Sequence, residues 1–180
     1  MNILIYGSGA LGLLMGYFLE KENSVDYIGK NPSQKTYNIK IGSTVNTHTF
    51  NIKDKIDKKY DCIILATKSF DVDYAIENIL KATKNTPILT VQNGIYTEEV
   101  LLSKLDKTLI FPIASLIGAT INDNVLDNFM NNGQKIGYFL DKQKAMYFAQ
   151  NFNKCGLNTM VVDDIMSEKW WKFIFYCSFA

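Results

Sequence analysis

The stretch Asn2-Ile3-Leu4-Ile5-Tyr6-Gly7-Ser8-Gly9-Ala10-Leu11-Gly12, continued by Leu13-Leu14-Met15-Gly16-Tyr17-Phe18-Leu19, decides the fold. A short, unbroken apolar run reads as a strand buried on both faces, and the longer apolar run after the glycines reads as a buried helix. Each glycine between them has its own mechanical role. Gly7 makes the tight turn, Gly9 lets backbone approach a pyrophosphate, and Gly12 permits close helix packing. A phosphate would sit on the helix N-terminus, against Gly7, Ser8, Gly9, Ala10, Leu11 and Gly12. The same spacing also serves a purely structural glycine turn. Its place directly after a strand and opening a helix favours dinucleotide binding.

Working outward, strand and helix signals alternate. Val25–Ile28 reads as a second strand ending at Gly29-Lys30, and Ser33 to Lys59 as short strands or loops at a sheet edge. Cys62–Ala66 is a buried strand leading through Thr67-Lys68-Ser69 into a helix from Val72 to Ala82, where Ala75, Ile79 and Leu80 recur at helical spacing. Ile88–Val91 is the next strand, stopping at Gln92-Asn93-Gly94 before a helix from Glu98 to Leu105. Leu109–Ile117 reads as a strand, Gly118 to Gly137 as turn-rich pieces, Lys142–Asn153 as a helix and Asn158–Val162 as a last strand. This alternation predicts a doubly wound, mostly parallel α/β sheet of Rossmann type. From Asp164 onward the chain is apolar almost all round a helix, with Asp163 or Asp164 as cap, so it requires cover from elsewhere. The reading is therefore of part of a longer protein, and of a terminal helix through which copies associate into a homo-oligomer.

Composition excludes several classes. Of 180 residues 47% are hydrophobic and 21% charged, enough to build a core, which removes disorder. The net charge of +1 supplies no field for a nucleic-acid backbone or an anionic membrane. Every basic residue is lysine, so an anion must be held by lysines, backbone N–H groups or hydroxyls rather than by a guanidinium fork. Cys62, Cys155 and Cys177 are scattered in apolar surroundings, neither a disulfide framework nor a zinc spacing, and point to the cytoplasm. The run Ile3–Leu19 has no basic residue before it and is interrupted by glycines, unlike a signal peptide. His48, the single histidine, reads as a surface residue, which leaves no support for a metal site or a histidine-based triad.

Chemistry gathers at predicted strand ends. Where a carboxylate would accept both ribose hydroxyls at the end of the second strand, the chain has Gly29-Lys30; a cation there suits a 2′-phosphate and so NADP, against the plainer reading of a solvated lysine. Lys68 could meet phosphate or ribose oxygens, and Asn93 offers both a donor and an acceptor to cofactor or substrate. Lys172, among Trp171, Phe173, Phe175 and Tyr176, is partly desolvated, which lowers its pKa and improves it as a proton donor. Its alternative is a lysine reaching to the surface from an amphipathic helix.

Four segments together, Ile3–Gly12, Ile63–Lys68, Val91-Gln92-Asn93-Gly94 and Glu168-Lys169-Trp170-Trp171-Lys172-Phe173, resemble the ketopantoate reductase (2-dehydropantoate 2-reductase) family, in the same order and over essentially the whole chain. The resemblance implies a Rossmann domain that binds NADPH, here 1–163, followed by the start of an all-helical substrate and dimerisation domain, here 164–180. It implies NADPH-dependent reduction of a small 2-oxo acid, ketopantoate to pantoate on the way to pantothenate and coenzyme A. Lys172 matches the family's catalytic lysine, Asn93 its substrate and cofactor asparagine, Lys68 its cofactor lysine, and Lys30 the position that often holds the 2′-phosphate arginine. The family helix carries asparagines four and eight positions beyond its lysine, where this chain has Tyr176 and Ala180. Reduction of another 2-oxo acid, and an NADP-binding module without turnover, stay open beside it.

Overall fold

The computed structural model describes residues 1–178, with side chains through Phe175. The first strand, β1 (Asn2–Tyr6), runs into α1 (Ala10–Leu19) and back through β2 (Ser24–Ile28), which lies parallel to β1. On the other side of β1 lie β5 (Cys62–Leu65), β6 (Ile88–Thr90) and β7 (Ile110–Asn122), each parallel to its neighbour. The chain thus reverses its direction of progress across the sheet at β1, and a crevice opens there at the carboxyl ends of the strands.

Period-two alternation assigns each side chain to a layer. Ile3 and Ile5 of β1 and Cys62 and Ile64 of β5 face the core of α1 and α4 (Lys142–Lys154), where Leu14, Phe148 and Phe152 are buried. Leu4 and Tyr6, with Ile63 and Leu65, face α2 (Val72–Ala82) and α3 (Tyr96–Leu102) through Ile76, Ile79 and Leu101. A strand apolar on both faces has no solvent side to mark, which is why these segments read as continuous apolar runs.

The sheet departs from an open doubly wound one. Ser33 to Lys59 is not a set of short edge pieces: β3 (Ser33–Ile41) and β4 (Thr44–Lys53) form a long antiparallel hairpin around Gly42, with β4 joined to β2 in parallel. Likewise Gly118 to Gly137, expected to be turn-rich, lies in the extended hairpin of β7 and β8 (Val125–Ile136). Asp123 and Asn124 both have positive φ, +45 and +62, as a two-residue hairpin turn of matching twist requires. In β8 the buried Asn128 is polar and the exposed Phe129 is apolar, so the alternation that marks a strand is inverted there and weak in the sequence. Residues Val125–Asn128 pair in parallel with β3, closing eight strands into a ring, while β9 (Thr159–Val161) joins the far end of β8 as the ninth strand among the described residues. Closure wraps sheet around α1, which packs on β1, β2, β7 and β8, and this explains a helix with hardly a polar residue.

The last helix, α5 (Ile165–Ser178), packs on β7 and β8. Asp164 is its cap, accepting from the Ser167 amide at 3.0 Å, while Asp163 binds Tyr138 and Lys142 instead. His48 is not a plain surface group: it is half-buried, its ring 4.5 Å from that of Phe50, and its Nε2 lies 3.0 Å from Glu20. Cys62 and Cys155 are buried thiols, Cys62 pushed up to about 12 by burial; the side chains of Tyr176 and Cys177, and Ala180 altogether, lie outside the described residues. Among the described residues no helix is long and apolar enough to cross a membrane, and no group of three or more His, Cys, Asp or Glu could hold a metal ion.

Candidate functional site

The glycine turn sits at the reversal point. The Gly7 amide donates to Ile28 O at 2.9 Å and the Ala66 amide to Tyr6 O at 2.8 Å, tying the ends of β1, β2 and β5 together under the turn. Gly7 has φ +125 and backs onto the Ala66 backbone, and a Cβ at Gly12 would strike the Gly7 carbonyl. Gly9 is different. It is the cap residue of α1 with no side-chain cap, and a Cβ there would point into open space. That space belongs to a cleft of about 700 Å³ bounded by Gly7 to Gly9, Gly29, Lys30, Thr67 and Lys68.

The cleft gathers the cations expected at the ends of β2 and β5. Lys30 Nζ is 2.7 Å from Asp71 Oδ1, and both Lys30 and Lys68 lie 5.8 Å from the centroid of the exposed Phe70 ring. Lys30 therefore stands at the cleft with a carboxylate partner of its own. Lys35, from the hairpin, is a third lysine on the same cleft that the strand-end argument missed, because the pairing that brings β3 there is not visible in local sequence.

A second cavity, about 540 Å³, lies across the N-terminal turn of α1 and is bounded by Leu11, Gln92, Asn93, Ser115, Lys169 and Lys172 among others. Here two segments 79 residues apart meet: Lys172 Nζ of α5 donates to Asn93 Oδ1 at 2.8 Å. Lys172 is half-buried, and its pKa is lowered to about 8, first by burial and then by the Lys169 cation. Burial is the larger cause, as the sequence led one to expect, and the Lys169 cation adds to it. Behind this pair Lys169 forms an ion pair with Glu98, and the Thr90 hydroxyl donates to the same carboxylate oxygen. Burial lowers the pKa of Lys169 while Glu98 opposes the shift. Sequence reasoning missed Glu98 and Lys169. The one available signal was the three-residue spacing of Lys169 and Lys172, which puts both on one helix face.

A sheet whose central strands run parallel and reverse their order at β1, with a glycine turn over the reversal and polar side chains at successive strand ends, defines a Rossmann-like α/β protein. The family model for ketopantoate reductase PanE/ApbA matches residues 3–140, and the chain belongs to that family. It is 29% identical to a 2-dehydropantoate 2-reductase of Pyrococcus abyssi over 97% of this chain and 60% of that protein. A 2-dehydropantoate 2-reductase of Pyrococcus horikoshii gives the same identity and coverage. The chain thus spans about 60% of the length of these curated relatives. Among solved structures, the 2-dehydropantoate 2-reductase of Geobacter metallireducens has the same fold with a TM-score of 0.88 at 21% identity, covering 97% of this chain and 62% of that one. A D-mandelate dehydrogenase complex with NADH and anilino(oxo)acetate shares the fold with a TM-score of 0.83 at 21% identity, covering 96% and 60%.

Proposed function

We propose that this chain is the nucleotide-binding part, 1–163, and the first helix of the substrate domain, from 164, of an NADPH-dependent reductase of a 2-oxo acid, with ketopantoate as the substrate and pantoate as the product. One observation carries the reading: a half-buried lysine of lowered pKa, Lys172, is held by Asn93 on a cavity that adjoins the glycine turn. The residues present fit a nicotinamide dinucleotide. The turn leaves open room where a Cβ at Gly9 would go, the first turn of α1 carries no acidic side chain, and lysines stand on the cleft beside it. Gly7, Ser8, Gly9, Ala10, Leu11 and Gly12 would cradle the pyrophosphate, Lys30 and Lys68 the adenosine-side phosphate and ribose, and Asn93 the nicotinamide side. When bound, the cofactor supplies the hydride for the ketone carbon.

The chain's own part is proton supply and orientation. Lys172, protonated at neutral pH, donates to the oxygen that gains charge as the ketone is reduced, and the Asn93 amide fixes the ammonium's direction. The exposed aromatics Trp171 and Phe173 support docking of α5 against a helical domain or a second subunit. Reduction of a different 2-oxo acid is favoured by Tyr176 and Ala180 standing where the family helix carries asparagines.

The test is calorimetric binding of NADPH, with NADPH oxidation by the full-length protein across ketopantoate and a panel of 2-oxo acids. Turnover on one of them is expected; tight binding with none would leave a cofactor-binding module, and no binding would remove the reading altogether. Lys30→Glu should weaken NADPH at least tenfold and leave NADH nearly unchanged, since a charge-assisted contact contributes about 1.5–3 kcal/mol. Equal loss for both cofactors in the same titration would take Lys30 out of the 2′-phosphate site.

A further inference from the structure

The carboxylate of Glu98 occupies a position that the reduction itself does not explain. It is completely buried, and its cationic partner Lys169 is 3% exposed. A buried ion pair is a poor means of adding stability, because desolvation of both charges offsets their attraction and apolar residues of similar size would do as well. What distinguishes this one is its connectivity. One oxygen, Oε1, takes the Thr90 hydroxyl from the end of β6 and Lys169 from α5, while Glu98 itself belongs to α3.

Thr90 and Glu98 are eight residues apart, and Asn93 lies on the loop between them. The carboxylate therefore fastens both ends of the loop that presents Asn93. Through Lys169 it fastens that loop to α5, one turn before Lys172. We propose that Glu98 is a positioning residue: its carboxylate clamps the Asn93 loop and α5 together and thereby sets the Lys172–Asn93 contact. This rests on the reading of Lys172 as the proton donor. The second oxygen, Oε2, is buried and has no hydrogen-bond partner among the described residues, so the clamp depends on Oε1 alone. The same arrangement keeps the Lys169 cation near Lys172, where it adds to the depression that burial produces. Among the described residues, Glu168 on the same helix and Lys135 of β8 also border a cavity with Lys172, and they are paired with each other at 2.7 Å.

The double variant Glu98→Gln/Lys169→Met removes both charges with little change of volume. Competitive acetylation of Lys172 across pH, read by mass spectrometry, requires neither cofactor nor turnover. In the folded double variant the labelling midpoint should rise, and the rate at pH 8 should fall about threefold as the neutral amine is depleted. In the full-length enzyme, kcat for the 2-oxo acid should fall about tenfold with the KM for NADPH unchanged. Because loss of the Lys169 charge alone moves the labelling midpoint, the clamp is judged on the loop: amide exchange at Gln92 to Ile95 in the folded double variant should quicken at least tenfold, and exchange equal to the parent's would overturn it. If that variant does not fold, Thr90→Val, which keeps the ion pair, tests the loop: amide exchange at Gln92 to Ile95 should quicken at least tenfold, and unchanged exchange would overturn the proposal. A parent protein that turns over no 2-oxo acid would refute the proton-donor reading instead, and the exchange results would still decide whether Glu98 fixes the contact.

Discussion

Replacing Lys172 by methionine should lower turnover of the 2-oxo acid by about 10²–10⁴-fold, the range that a positioned general acid supplies, with NADPH affinity changed by less than about threefold. Methionine keeps the stem that packs beside Asn93 and removes only the ammonium, so the loss reports proton donation and not packing. The pH profile gives the independent check. The acid must be protonated to act, and the folded protein holds Lys172 near 8, so the rate should fall as pH rises through about 8. In the methionine variant that limb should be absent. The stability linkage has the opposite direction: between about 8 and the ordinary lysine value the folded state binds fewer protons than the unfolded one, so this group makes the protein more stable as pH rises there. Activity and stability should therefore diverge above pH 8. A rate that stays flat through that range, or a methionine variant with undiminished turnover, would remove Lys172 from the chemistry.

The fold and the first half of the site were legible because they rest on local patterns. Ile3 to Tyr6 and Cys62 to Leu65 are buried on both faces and announce themselves as unbroken apolar runs, and the glycines of the turn are fixed by sterics that act over a few residues. The closing of the sheet was not legible. It depends on Val125–Asn128 meeting Asn38–Ile41, two stretches whose polar faces look out to water and whose register is set only in three dimensions. Asp123-Asn124 could have revealed the β7–β8 hairpin, since adjacent residues tolerant of positive φ mark such a turn, but the alternation on either side is diluted by asparagines. At the site, Asn93 was marked by its place at the end of a predicted strand, and Lys172 was singled out over a surface lysine by the resemblance. Glu98 and Lys169 were not, because a charged residue in a helix reads as solvated unless its partner is known, and here the partner is 71 residues away.

The glycine turn offers the other large effect, and two substitutions that look alike should act on different properties. Gly7→Ala should destabilise the fold by roughly 4 kcal/mol: about 1–3 for a side chain forced to hold φ near +125, and about 1–3 for a Cβ placed 2.5 Å from the Ala66 carbonyl carbon, which backbone cannot vacate. For a chain of this size that lowers the melting temperature by about 8–16 °C. Gly9→Ala meets neither obstacle. Its φ of −79 and ψ of 176 suit any residue, and its Cβ would touch nothing. Calorimetric melting of Gly9→Ala should therefore lie within a few degrees of the parent. Its NADPH affinity should nevertheless fall by two orders of magnitude or more, because the added methyl stands where the pyrophosphate must approach the amides of α1. The pair separates a turn that exists for folding from one that exists for phosphate. If Gly9→Ala binds NADPH as tightly as the parent, the open space above the turn is not a phosphate site, and the reading of the whole cleft goes with it.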